Sequence, residues 1–232
     1  MNLQSAMKEL RACGAEQNRK VYARHGVRGN AFGVSYANQR ALAKKIKRDH
    51  ALAQQLWETG NHDARVLATM IADPQAASAA ELDAWANDLD SYVLSDALSA
   101  FAAQTPLASR KTEQWGKSRE EYVAAAGWNV VAWRAQSAPE APDSDFEGQI
   151  ATIERKIHKA ANRVRQAMNA ALCAIGIGRP GLRDAAIAAA RRIGKVEVDH
   201  GETGCKTPEA AAYIEQAVRK LAARAGAKRK TG

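Results

Sequence analysis

The chain has 232 residues, 46% of them hydrophobic, and its 34 Lys and Arg against 25 Asp and Glu leave a formal charge of +9. That length fits a single domain spanning 1–232, above all an elongated one whose core is a line rather than a ball, and the positive excess suits a polyanion, nucleic acid before an anionic membrane surface. No apolar run approaches the roughly 20 residues that span a bilayer, and the amphipathic start MNLQSAMKELRACG lacks the apolar heart of a signal peptide, so a membrane partner is not expected. Cys13, Cys173 and Cys205 are odd in number and far apart, which argues against a disulfide framework or structural zinc and for a reducing cytoplasm. His200 and Cys205 share the loop DHGETGC without further clustered ligands, so the loop reads as structural; no metal and no cofactor are expected.

In chain order, residues 3–13 and 16–25 read as two short helices, broken at Gly14 and stopped at Gly26. GVRGNAFG (26–33) is a connection that delivers Phe32 and Val34 to the core; it lacks the spacing and the Lys-Ser/Thr of a phosphate-binding P-loop. Ser35 can cap a helix with Leu42 and Ile46 inward, loaded elsewhere with Arg40, Lys44, Lys45, Lys47 and Arg48. Asp49 starts the next helix, with Leu52, Leu56 and Trp57 inward. Asn61 caps HDARVLATMIA, which turns Val66, Leu67, Met70 and Ile71 inward and ends at Asp73-Pro74.

The same rhythm continues through 79–89, 91–104, 107–116 and 119–136. SAPEAPDSD (137–145) reads as an exposed linker between two helical sets. Helices follow from Phe146 to about His158, over Asn162–Ile175 and over Leu182–Ile193, and after the loop KVEVDHGETGCKT a final helix runs to about Ala225 with a frayed basic tail over 226–232. No segment shows the sustained period-two alternation of a strand, so the chain is expected to be all-α, on the order of a dozen short helices stacked as a helical-repeat solenoid.

Basic residues fall in three blocks, 40–48, 155–165 and 219–230, the middle one carrying Arg155, Lys159, Arg163 and Arg165. In a curved array of helix pairs, blocks far apart in sequence can line one concave groove and neutralise phosphates without reading bases. Taken singly, each block reads equally as a solvated helix face.

The stretch ELDAWANDLDSYVLSD (81–96) is the most distinctive. Leu82, Trp85 and Leu89 form one apolar stripe, and a following helix sets Tyr92 and Asp96 four residues apart on one face. Spacing alone reads Asp96 as a solvated or capping acid and Tyr92 as a packing residue. This stretch, preceded by HDARVLATMIADP (62–74) and followed by GKVEVDHGETGCKTPEAAAYI (194–214), resembles the AlkD-like DNA alkylation-repair family of HEAT-like repeat DNA glycosylases, in order from about Tyr22 to Ile214.

The resemblance implies double-stranded DNA as partner and excision of N3- or N7-alkylated purines. A cationic base already leaves readily, so one carboxylate beside the oxocarbenium-like sugar, with aromatic faces near the cation, meets the chemical need. By position, the family's catalytic aspartate falls on Asp96 and its partner tryptophan on Tyr92. The family arginine falls on Ala125, within YVAAAGW, and a second tryptophan on Ala170. Trp85 and Trp128 are further aromatic candidates, although a tryptophan on such a helix more often serves the core. The expectation is thus a monomeric, cytoplasmic, nucleoid-associated (if bacterial) repair glycosylase acting through Asp96. The alternatives are a non-catalytic binder of DNA structures on the same fold or a scaffold for an acidic protein.

Overall fold

The computed structural model describes residues 1–230, with side chains through Arg224. Thirteen α-helices run through them: α1 Leu3–Ala12, α2 Glu16–Arg24, α3 Tyr36–Ile46, α4 His50–Glu58, α5 His62–Ile71, α6 Ala79–Asn87, α7 Tyr92–Ala102, α8 Ala108–Trp115, α9 Glu121–Ser137, α10 Ser144–Lys156, α11 Asn162–Gly178, α12 Arg183–Ile193 and α13 Ala210–Lys230. Among the described residues there is no strand, only an isolated bridge between Gly14 and Val34. No described helix is long and apolar enough to cross a membrane.

The capping residues act as their chemistry requires. Ser35, Asp49 and Asn61 each accept a backbone amide three residues on, from Asn38 at 3.2 Å, Leu52 at 3.0 Å and Ala64 at 3.1 Å. The last helix passes the Ala225 where composition predicts its end and runs to Lys230; the side chains beyond Arg224, and residues 231–232 altogether, lie outside the described structure, and with them the expected fraying of 226–232.

The chain forms two compact units, one of Met1–Val130 with His200–Cys205 and one of Val131–Asp199 with Lys206–Gly232. The division falls inside α9, not in the proline-bearing 137–145 segment. In the first unit α4 packs on α5, and α5 on α3 and α7, around a core that includes Leu10, Leu56, Leu67, Ile71, Leu82 and Phe101. Trp57 and Trp85 stack within it, ring centroids 4.3 Å apart. Asp63, fully buried at the start of α5, accepts the backbone amides of Phe32 at 2.6 Å, Gly33 at 3.1 Å and Val34 at 2.8 Å. This acid is what folds 26–33 onto the core, as the expected inward placement of Phe32 and Val34 requires.

In the second unit α10, α11, α12 and α13 pack together. The 137–145 segment is held there rather than free. The buried Arg179 guanidinium donates to Asp143 at 2.8 Å, to the Ala138 carbonyl at 3.0 Å and to the Ala141 carbonyl, and lies over the Phe146 ring. An arginine with five donors can tie a whole loop in this way.

Candidate functional site

Helix α7 carries Tyr92 and Asp96, the two residues singled out by the resemblance. Its Ser91 cap accepts the Leu94 amide, and Leu94, Ser95, Leu98, Ser99 and Phe101 are buried, which leaves Tyr92 half-buried and Asp96 exposed on another face. Two hydroxyls meet α9: Ser95 Oγ donates to the Tyr122 carbonyl at 2.9 Å, and Ser99 Oγ shares its one proton between the Ser95 carbonyl of its own helix at 2.6 Å and the Ala126 carbonyl at 3.1 Å. Close approach of α9 to its other neighbour depends on small residues. A Cβ on Gly127 would stand 2.3 Å from the Gly116 nitrogen, and Ala124, Ala125 and Ala126 are buried beside it.

In this register Asn129 Nδ2 donates to Asp96 Oδ1 at 2.7 Å. A neutral amide one turn beyond Ala125 thus orients the carboxylate in the part of α9 where the resemblance looks for an arginine. Tyr92 is also tied: its hydroxyl is hydrogen-bonded to His25 Nδ1, with ring centroids 5.9 Å apart. His25 in turn lines a cavity of about 250 Å³ with Arg24 and residues 202–205.

A second tyrosine is linked to the Asp96 carboxylate through its charge. Tyr36, the first residue of α3, is 38% exposed, and its phenol is pushed up to about 12, by burial first and then by the negative charges of Asp96 and Asp63, against the opposing Arg40. The charge of Asp96 is therefore felt at Tyr36, while Tyr22, bonded through its hydroxyl to the Val34 carbonyl, is raised by burial and by Asp63. Sequence reading missed Tyr36, His25 and Asn129. Only Tyr36 leaves a local trace, four residues ahead of Arg40 and directly after the Ser35 cap.

The remaining expected residues sort differently. Trp85 and Trp128 are buried, at 4% exposure each, Trp85 in the stack with Trp57 and Trp128 beside Gly116. On and just after α3, Lys45 is paired with Glu9 and Arg48 with Asp73 at 3.3 Å. Arg40, Lys44 and Lys47 are exposed and form no ion pair among the described residues. In the second unit Arg155, Lys159 and Ala170 are exposed, whereas the half-buried Arg163 donates to Gln166 at 2.8 Å. Arg165, also half-buried, donates to the Glu197 carbonyl at 2.7 Å and the Ala160 carbonyl at 3.1 Å, so its guanidinium braces the segment after α12.

A family model described as DNA alkylation repair enzyme matches residues 6–214, and the chain belongs to that family. A solved structure, described as a new family of proteins related to the HEAT-like repeat DNA glycosylases with affinity for branched DNA structures, is similar to it with a TM-score of 0.88 and 29% identity over 95% of each chain. Uncharacterized proteins of Listeria innocua and Listeria monocytogenes are each 26% identical over 215 residues, covering 90% of this chain and 94% of theirs. The fold is accordingly the HEAT-like helical repeat that the sequence rhythm and the resemblance predict.

Proposed function

We propose that this member of the DNA alkylation-repair family binds DNA that departs from a straight duplex, with branched structures preferred, and that the Asp96 cluster meets the distorted nucleotide. The observation that carries this reading is the likeness, over 95% of both chains, to a protein from a family with affinity for branched DNA. It is supported by the excess of 34 basic over 25 acidic residues, by the cations on and just after α3 that form no ion pair among the described residues, and by the lack of a guanidinium at Ala125 and of an indole at Ala170. Cations that are not spent on internal carboxylates can replace the counterions of phosphates, and this makes binding salt-dependent.

Fluorescence anisotropy with a labelled four-way junction and a linear duplex of equal length tests the reading. The junction should bind roughly ten-fold or more tighter than the duplex, with log affinity falling linearly in log salt. Equal affinity for both, or no binding, would refute it.

A second reading, excision of alkylated purines, is favoured by one observation: Asp96 is exposed and oriented by Asn129, beside two tyrosines, as an anion meant to face a developing oxocarbenium must be. It requires N7-methylguanine or N3-methyladenine to appear in solution when methylated duplex is incubated with the protein. Release should fall by about 10²–10³ in Asp96→Asn, since that change removes the charge and keeps the shape. Absence of free base at enzyme excess rules this reading out and leaves the binding reading in place.

A further inference from the structure

The C-terminal residue of the α3 cap has a backbone that lysine rarely adopts. Lys47 has φ 67° and ψ −152°, and its N–H donates to the Ala43 carbonyl at 2.8 Å. At the end of α12, Gly194 has φ 70° and ψ −149°, with its N–H on the Ala190 carbonyl at 2.9 Å. The two caps share one conformation, in a region of backbone space that is essentially reserved for glycine. One is closed with glycine as steric chemistry prefers, and the other carries a lysine with its strain. Lys47 is the only non-glycine residue with positive φ among the described residues.

The position of Lys47 on α3 supplies a reason. Tyr36, Arg40 and Lys44 follow one another at intervals of four and so form one stripe along α3, and Lys47 caps the C-terminal end of that helix. The stripe starts at the tyrosine that feels the Asp96 charge, continues through Arg40 and Lys44, and ends at the capping Lys47; none of the three cations has a carboxylate partner among the described residues. The intervening Lys45 and the following Arg48, off that line, are the ones neutralised, by Glu9 and Asp73. From Arg40 to Lys47 the chain rises about 10 Å, about three of the roughly 3.4 Å axial steps of a DNA strand, so the three cations span about four successive phosphates.

We propose that this stripe is a ladder that tracks the phosphates of one DNA strand toward the Asp96 cluster, and that Lys47 is its outermost rung, kept at a glycine position for its ammonium. The proposal rests on the DNA-binding reading and specifies the surface and the strand contact.

Two variants test it with the junction as probe. Lys47→Gly should raise the melting temperature by roughly 2–4 °C, since strain is relieved, while junction affinity falls about five-fold and the salt slope drops by about 1. Lys47→Gln keeps the strained backbone and should lose the same affinity and slope with no gain in melting temperature. Lys20→Gln removes an equal charge from a lysine paired with Glu16 at 3.1 Å, and should leave the slope unchanged. If the wild type binds the junction with a salt dependence but Lys47→Gly and Lys47→Gln bind as well as it does, or if Lys20→Gln loses as much, the ladder is wrong and the DNA reading stands. If the wild type does not bind, both fall.

Discussion

Asp63 and Asp96 stand on packed neighbouring helices, α5 and α7, and are used in opposite ways. Asp63 is fully buried and answers the amides of Phe32, Gly33 and Val34, with Gln39 Nε2 at 3.4 Å as a further donor. Asp96 is exposed, and its Oδ1 accepts the Asn129 amide at 2.7 Å. A carboxylate whose lone pairs are consumed by backbone amides organises a loop. One at the surface, met by a side-chain amide, does not have that task. The same residue type therefore organises a buried turn at one site and stands at the surface at the next, where the proposed function gives it a role in recognition.

The contrast can be broken most forcefully at Asp63. Asp63→Ala leaves three amide donors, those of the half-buried Phe32 and the buried Gly33 and Val34, without an acceptor and should cost about 3–5 kcal/mol in urea denaturation, whereas Asp96→Asn should change stability by no more than about 0.5 kcal/mol. Equal costs would erase the distinction between the two acids. Next in size is the hydroxyl register that carries Asp96. Ser99→Ala removes a donor to the Ala126 and Ser95 carbonyls and should cost about 1 kcal/mol. The double variant Ser95→Ala/Ser99→Ala should also loosen the Asp96 to Asn129 contact, seen as movement of the Asn129 side-chain amide resonances. Unmoved resonances would show that the register is set by packing alone.

The smallest effect concerns pH. His62, next to Asp63, is 3% exposed with no hydrogen-bond partner at either ring nitrogen among the described residues, and burial holds its pKa below the ordinary histidine value, although Asp63 and Asp90 pull the other way. A histidine that stays neutral when folded but takes a proton when unfolded costs stability on acidification, so the melting temperature should decline as pH falls below about 6.5. His62→Gln should flatten that decline. A wild-type curve with no slope between pH 7 and 5.5 would contradict the buried, neutral state.

Much of the architecture is legible in local sequence because helix caps and apolar periods are local. Ser35, Asp49 and Asn61 cap the helices they precede, and Leu82, Trp85, Leu52, Leu56, Val66 and Leu67 are buried where the helical period places them. The site is legible only in part. Spacing puts Tyr92 and Asp96 on one helical face and the resemblance alone singles them out, while Asn129 is chosen by the packing of α9 on α7, and His25 is brought to Tyr92 across 67 positions of chain. Nothing local marks either partner. Arg179 and the 137–145 segment teach the same lesson, since a run rich in proline and acid reads as free until an arginine some 40 positions on binds its carbonyls. The backbone of Lys47 is the extreme case: a lysine gives no warning that it occupies a glycine conformation.

The most direct test of the account is hydrogen exchange of the protein alone and with a four-way DNA junction, followed by peptide. Protection should concentrate on residues 36–47 of α3 and on 92–96 at the start of α7, the stripe and the carboxylate it leads to. Strong protection elsewhere with both of these segments unchanged would contradict it, because DNA would then be held by a surface to which neither Lys47 nor Asp96 belongs.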